Sequence, residues 1–303
     1  MSRSDILSRL AKGEKFLLDG ATGSELQQRG VNVSKGIQKD GKLGAWSATA
    51  LGEAPEVVTA VHEDYLRVGC DILTTNSFWT CPTRLGMAGL ADKWEEYTRI
   101  AGELAISARD KISPDAYVAG GIAPSLMGKS EGETGGVARV LKESGVDLIL
   151  LEYFGDIDEC VEGVTEASET GLPIFLGLKH VTREGTLHDG KPAAELIEAL
   201  DGLQVDCILA MCCRPEAISA FLPNLREVFN GPIGAYANIG YNRSSEEPNS
   251  PAHQWHVMEN EDYPPATYAE FAKGWIESGA QVIGGCCATT PAHIEAIRPM
   301  VKS

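Results

Sequence analysis

The chain has 303 residues, room for two average domains or one large α/β barrel, and 43 % of them are hydrophobic, which excludes wholesale disorder. Lys plus Arg number 26 against 43 Asp plus Glu, and the net charge of −17 argues against a nucleic-acid or anionic-membrane partner. The start, MSRSDILSRLAKGEKFLLDG, has no apolar core of signal-peptide length, and no apolar run reaches the roughly eighteen residues of a membrane span. Eight cysteines without a secretion signal are then expected to be free or metal-bound thiols in a reducing cytoplasm.

Short apolar runs alternate with helical patterns along the chain. The first, FLLDG (16–20), predicts a strand; the glycine-rich GVNVSKGIQKDGKLGAW (30–46) follows it as a long loop. PEVVTAVHEDYLRVG then predicts a helix, with Pro55 at its start and Gly69 at its end. DILTTN (71–76) predicts strand two, KWEEYTRIAGELAISARDKI a helix, and YVAGGI (117–122) and DLILLEYF (147–154) strands three and four. DIDECVEGVTEASETG predicts a helix, PIFLGLKH (173–180) strand five and DCILAMCC (206–213) strand six. RPEAISAFLPNLREVF reads as a weaker helix that Pro223 should kink or end. PIGAYANI (232–239) is strand seven, and a second long loop, NRSSEEPNSPAHQWHVMENEDYPP, leads to the helix TYAEFAKGWIESG. QVIGGCC (281–287) is strand eight.

Nearly continuous apolar strands are expected where helices cover a parallel sheet. Eight such strands, each followed by a helix, point to an α/β fold: a single (β/α)8 TIM barrel over residues 1–303, with a doubly wound open sheet as the alternative. Barrel enzymes build their sites at the C-terminal ends of the strands, where both long loops also lie. Asp19, Thr75, Asn76, Glu152, Tyr153, Lys179, His180, Cys212, Cys213, Asn238, Cys286 and Cys287 all fall there.

Two vicinal cysteine pairs on one rim stand out. A lone buried cysteine is ordinary core filler, which is the reading for Cys70, Cys81, Cys160 and Cys207. Thiols from strands six and eight, separated only by strand seven, can share a Zn²⁺ ion, and three thiolates with one open position is a catalytic arrangement. The extra Cys213 makes the register of strand six ambiguous, and alternation is expected to turn Cys213 away from the site if Cys212 faces it.

The chain resembles the zinc-dependent homocysteine S-methyltransferase family almost end to end. The resemblance is carried by LLDGATGSELQQRG, HEDYLRVGCDILTTNSF, LEYF, GTLHDGKP and IGGCCATTPAHI in that order. It implies zinc ligands at Cys212, Cys286 and Cys287, with Met211 standing where the family usually has Asn and Cys213 as an extra thiol. Cys212 is preferred because Glu216 then falls where the family's downstream residue does. The resemblance further implies homocysteine and a small onium methyl donor as substrates. Glu152 would bind the homocysteine ammonium and Asp19 would be a second anchor, with Gly20 and Thr75 beside them. Asp19 could instead cap the helix that follows it, and the DGATG amides could meet a carboxylate.

Trp46, Trp79 and Tyr153 match positions that the betaine-using branch fills with aromatics, and such rings attract a quaternary ammonium or sulfonium. A betaine-like donor is therefore expected ahead of S-methylmethionine. Asn238 or Tyr153 is expected to fill the open zinc position when substrate thiol is absent. Two readings lie outside the family: a Schiff-base aldolase using Lys179, and a zinc-holding or redox-sensing thiol protein. His188 and Asp189 in LHDGKP read as a turn ahead of an acid–base pair. The sequence leaves the oligomeric state open.

Overall fold

A computed structural model describes residues 5–36, 44–125, 132–240 and 262–302. Eight parallel strands run in the order β1-β8-β7-β6-β5-β4-β3-β2: β1 Phe16–Leu17, β2 Ile72–Thr74, β3 Tyr117–Ile122, β4 Leu148–Phe154, β5 Ile174–Lys179, β6 Cys207–Met211, β7 Ile233–Ala237 and β8 Ala280–Gly285. A bridge between Leu18 and Ile72 joins β1 to β2, and Asp71 N–H donates to the Leu17 carbonyl at 2.7 Å, so the sheet closes on itself. The result is the (β/α)8 TIM barrel, and all eight predicted strands occur in it.

Alternation along the strands makes two apolar layers. Phe16, Leu18, Tyr117, Leu148, Leu150, Phe175, Leu209 and Val282 fill the barrel interior. Their neighbours Leu17, Val118, Ile149, Leu151, Leu176 and Ile283 face the surrounding helices. Fully burying each such side chain stabilises the fold by about 1.5–3 kcal/mol.

Two features differ from the sequence expectations. The helix Pro215–Val228 runs straight through Pro223. Proline there removes one bond, to the Ser219 carbonyl, while Phe221, Leu222 and Leu225 are buried and Trp275 Nε1 donates to Ser219 Oγ at 2.9 Å. An additional helix, Ile6–Ala11, closes the N-terminal end of the barrel by inserting Ile6 and Leu10 beneath Phe16. Gln281 Nε2 ties it down by donating to the Leu10 carbonyl at 2.8 Å. No helix among the described residues is long and apolar enough to cross a membrane. The second long loop falls almost wholly outside the described residues.

Candidate active site

Four strand ends share one backbone device. Tyr153, His180 and Cys212 have φ of +66°, +53° and +49°, and Ala288 after the β8 cysteines has +65°. Left-handed backbone is costly for residues other than glycine, and such strain gathers at functional sites. Its effect is visible in β6, where Cys207, Leu209 and Met211 face inward and Ile208 and Ala210 outward. Alternation would send Cys212 outward after Met211; the left-handed turn keeps it inside, and Cys213 goes to the outer layer instead. Cys213 Sγ there accepts from Val181 N–H at 3.1 Å, and burial pushes its thiol up to about 12. Tyr153 follows the same logic after Glu152.

The inward thiols converge. Cys212 Sγ lies 3.8 Å from Cys287 Sγ, Cys287 lies 4.0 Å from Cys286, and all three sulfurs are within 4.8 Å of one another. Zn–S bonds of ~2.3 Å at tetrahedral angles need sulfurs ~3.8 Å apart, so the trio fits a zinc ion and needs little adjustment. Hydrogen bonds from Cys212 and then Cys286 hold Cys287 well below the usual thiol range. Asn238 Nδ2 points to Cys212 Sγ at 3.5 Å, while its Oδ1 accepts from Gly240 N–H at 2.8 Å. The amide thus lies beside the cluster, with its nitrogen facing the Cys212 sulfur.

These sulfurs floor a cavity of about 440 Å³. Asp19, Glu152, Gly20, Thr75, Asn238, Trp46, Trp79 and Tyr153 all line it, so the residues expected for homocysteine and for the methyl donor meet at one place with the three thiols. Asp19 caps no helix: its carboxylate accepts from Thr74 N–H at 2.8 Å and Thr74 Oγ1 at 2.9 Å across to β2. The helix Thr22–Gln28 starts instead from Ala21 without a side-chain cap. Burial raises Asp19 to about 7, against the Thr74 hydrogen bonds. Burial and then the Asp19 charge raise Glu152 to about 8, opposed by a hydrogen bond from Tyr236. Two buried carboxylates with no Lys or Arg among the described residues of the lining form a site that rewards a positively charged ligand.

Thr75 is committed to the scaffold, since its hydroxyl accepts from Gly121 N–H at 3.0 Å and bonds Ser77 Oγ at 2.6 Å. Trp46 packs on the start of the Thr22–Gln28 helix, where a Cβ at Gly23 would overlap the indole. Asn76 Nδ2 holds the same loop through the Ser47 carbonyl at 2.9 Å. Phe78 and Tyr236 were not singled out in the sequence. Tyr236 could have been found from β7 alternation, which aims it inward beside Glu152. Lys179 pairs with Glu159 at 3.3 Å and is not among the described residues lining the cavity, where a Schiff-base lysine would have to be. His188 and Asp189 sit in a turn and bond Asp156 and Lys191 respectively.

A closed parallel barrel with a three-thiol cluster on its C-terminal rim has a set of ligands that could hold a metal ion. Residues 16–301 match the family model described as homocysteine S-methyltransferase, and the chain belongs to that family. It is 29 % identical to the homocysteine S-methyltransferase of Escherichia coli K12 over 98 % of this chain and 99 % of the relative. It is 26 % identical to the S-methylmethionine–homocysteine S-methyltransferase BHMT2 of Pongo abelii, over 98 % of this chain and 81 % of the relative. Among solved structures, the metallated form of the homocysteine methyltransferase MmuM from Escherichia coli superposes with a TM-score of 0.74 at 26 % identity, covering 97 % of this chain and 99 % of that one.

Proposed function

We propose that this protein transfers a methyl group from a small onium donor to the thiol of homocysteine, giving methionine, with zinc held by Cys212, Cys286 and Cys287. The observation that carries this reading is the sulfur trio, within 4.8 Å, at the floor of a cavity that also holds two buried carboxylates. Zinc bound by three thiolates supplies a Lewis acid that lowers a thiol's pKa while leaving its sulfur nucleophilic.

The chain's own residues do the rest. Glu152, with Asp19 behind it, receives the homocysteine ammonium, whose charge returns the raised carboxylates to their ionised form. Gly20 and Thr75 shape that wall, and Asn238 donates to the Cys212 sulfur. Trp46, Trp79 and Tyr153 form the donor's side of the cavity. Transfer forms an S–C bond as the bond from methyl carbon to the onium atom breaks, leaving the electron pair on the departing nitrogen or sulfur. Charge disappears in that step, so a pocket with several aromatic walls that limits access of water favours it. No general acid is required for a leaving group that departs neutral.

The aromatic lining supports a betaine-like donor. The BHMT2 relative, an S-methylmethionine–homocysteine S-methyltransferase by name, favours S-methylmethionine as the second reading. Replacing each cysteine by serine tests the ligand set: Cys212→Ser, Cys286→Ser and Cys287→Ser are expected to lose bound zinc, whereas Cys213→Ser retains it. Zinc retained in all three of the first group, or lost in Cys213→Ser alone, would overturn the assignment.

A further inference from the structure

The two β8 cysteines are neighbours in sequence, and strand alternation sends neighbours to opposite faces. Val282 belongs to the barrel interior and Ile283 to the outer layer, a pattern that continues to Cys286 inward and Cys287 outward. Both cysteines nevertheless pack against the interior cluster. A turn makes this possible: Thr289 N–H donates to the Cys286 carbonyl at 3.1 Å, with Cys287 and Ala288 as the central residues. The Thr289 hydroxyl donates to the same carbonyl at 2.6 Å. Ala288 takes a left-handed φ of +65° at a position that turns of this kind ordinarily give to glycine.

Left-handed backbone disfavours alanine by roughly tenfold, so the turn needs support from outside itself. That support comes from the opposite end of the chain. Ala288 N–H donates to Ser24 Oγ at 3.0 Å, and both residues are buried. Ser24 lies on the helix Thr22–Gln28, just after Asp19 and Gly20 of the homocysteine wall and next to Gly23, on which Trp46 packs. Neighbouring bonds fix the same approach: Gly285 N–H donates to the Asp19 carbonyl at 2.9 Å, and Ala21 N–H donates to Thr289 Oγ1 at 3.2 Å. Those two bonds hold the residues on either side of the turn; Ser24 reaches the left-handed position itself.

We infer that Ser24 is a positioning residue for the metal centre: by accepting from the Ala288 amide it holds the turn left-handed and keeps Cys287 facing the cavity beside Cys286 and Cys212. Alanine at position 24 removes that acceptor. The turn can then relax towards the right-handed region, which carries the Cys287 side chain away from its two partners. The effect falls on the ligand set, since the turn lies beyond the end of β8 at Gly285. This inference rests on the proposed three-thiolate site. Ser24 also lines the cavity, so the segment that walls the homocysteine side sets the geometry of the metal ligands as well.

Zinc affinity of the full-length protein, measured by competition with a chromophoric chelator, tests this. Ser24→Ala is expected to weaken zinc binding about tenfold, the scale of one lost buried hydrogen bond. Ala288→Gly, added to the Ser24→Ala protein, should recover several-fold of that loss, because glycine adopts the left-handed turn unaided. A residue that only stabilised the fold would lower the unfolding temperature of the metal-free protein and leave zinc affinity at the wild-type value. That result, or a weakened affinity that Ala288→Gly does not improve, would overturn the inference. Hydrogen exchange at the Ala288 amide of the wild type decides the matter should Ser24→Ala fail to fold. A protected amide is expected, and exchange at the rate of an open one would contradict the inference. Wild-type protein that takes up no zinc would sink the proposed activity instead, and the Ala288 amide would still report whether Ser24 holds the turn.

Discussion

Glu152→Gln should make the protein more stable and less able to bind homocysteine, with the first effect growing as pH rises. In the folded chain burial, followed by the Asp19 charge, moves Glu152 from 4.5 to about 8. Between those values the native state holds more protons than the unfolded chain, so stability is greatest below pH ~4.5 and falls as pH climbs towards 8. Each tenfold in proton affinity is about 1.4 kcal/mol. The ceiling is therefore roughly 5 kcal/mol, which water entering the cavity reduces to about 2–4. Glutamine keeps the shape and the Tyr236 contact without the charge. Denaturant unfolding of zinc-loaded protein should show the variant about 2–4 kcal/mol more stable at pH 8.5 and nearly equal at pH 5. Homocysteine affinity, measured calorimetrically at pH 7.5, should fall about 30- to 200-fold through loss of a charge-assisted hydrogen bond. A variant destabilised at pH 8.5, or one that binds homocysteine normally, would refute the reasoning.

Three further outcomes follow from the same geometry. His62 is fully buried with neither ring nitrogen hydrogen-bonded to a described residue, and burial lowers it to about 4. Its neutral form is favoured in the folded state, so stability is expected to drop by up to about 3 kcal/mol as pH falls from 6.5 to 4. His62→Leu should flatten that part of the stability–pH curve in scanning calorimetry; an unchanged slope would contradict it. Gly23→Ala would displace the Trp46 indole and should raise the donor KM several-fold with homocysteine affinity unaffected. A chelator should abolish turnover without unfolding the barrel, since both core layers are built mainly from aliphatic and aromatic side chains; circular dichroism of the stripped protein checks this.

The eight strands were legible because parallel strands covered on both faces must be apolar along their whole length. The rim residues were legible from the same runs, since a strand's C-terminal end can be read from where its apolar character stops. Cys212 against Cys213 was harder: period-two alternation points the wrong way once a residue enters the left-handed region, and nothing local announces that +49° turn. Asp19 as a helix cap was a reasonable local reading, yet its partner is Thr74, 55 positions away. The Ser24 hydroxyl beside the Ala288 amide is likewise a product of closure, as is the helix Ile6–Ala11 beneath the barrel. Pro223 shows the reverse case, where burial on either side outweighs a local breaker.

Methyl transfer itself gives the most direct test. Zinc-loaded protein is incubated with homocysteine and onium donors carrying isotopically labelled methyl groups, and methionine is followed by mass. Labelled methionine, formed by the wild type and Cys213→Ser and absent from Cys286→Ser and Cys287→Ser, is the expected result. No labelled methionine from betaine-like or sulfonium donors, or equal turnover in the Cys286→Ser and Cys287→Ser variants, would contradict the three-thiol centre as the seat of the chemistry.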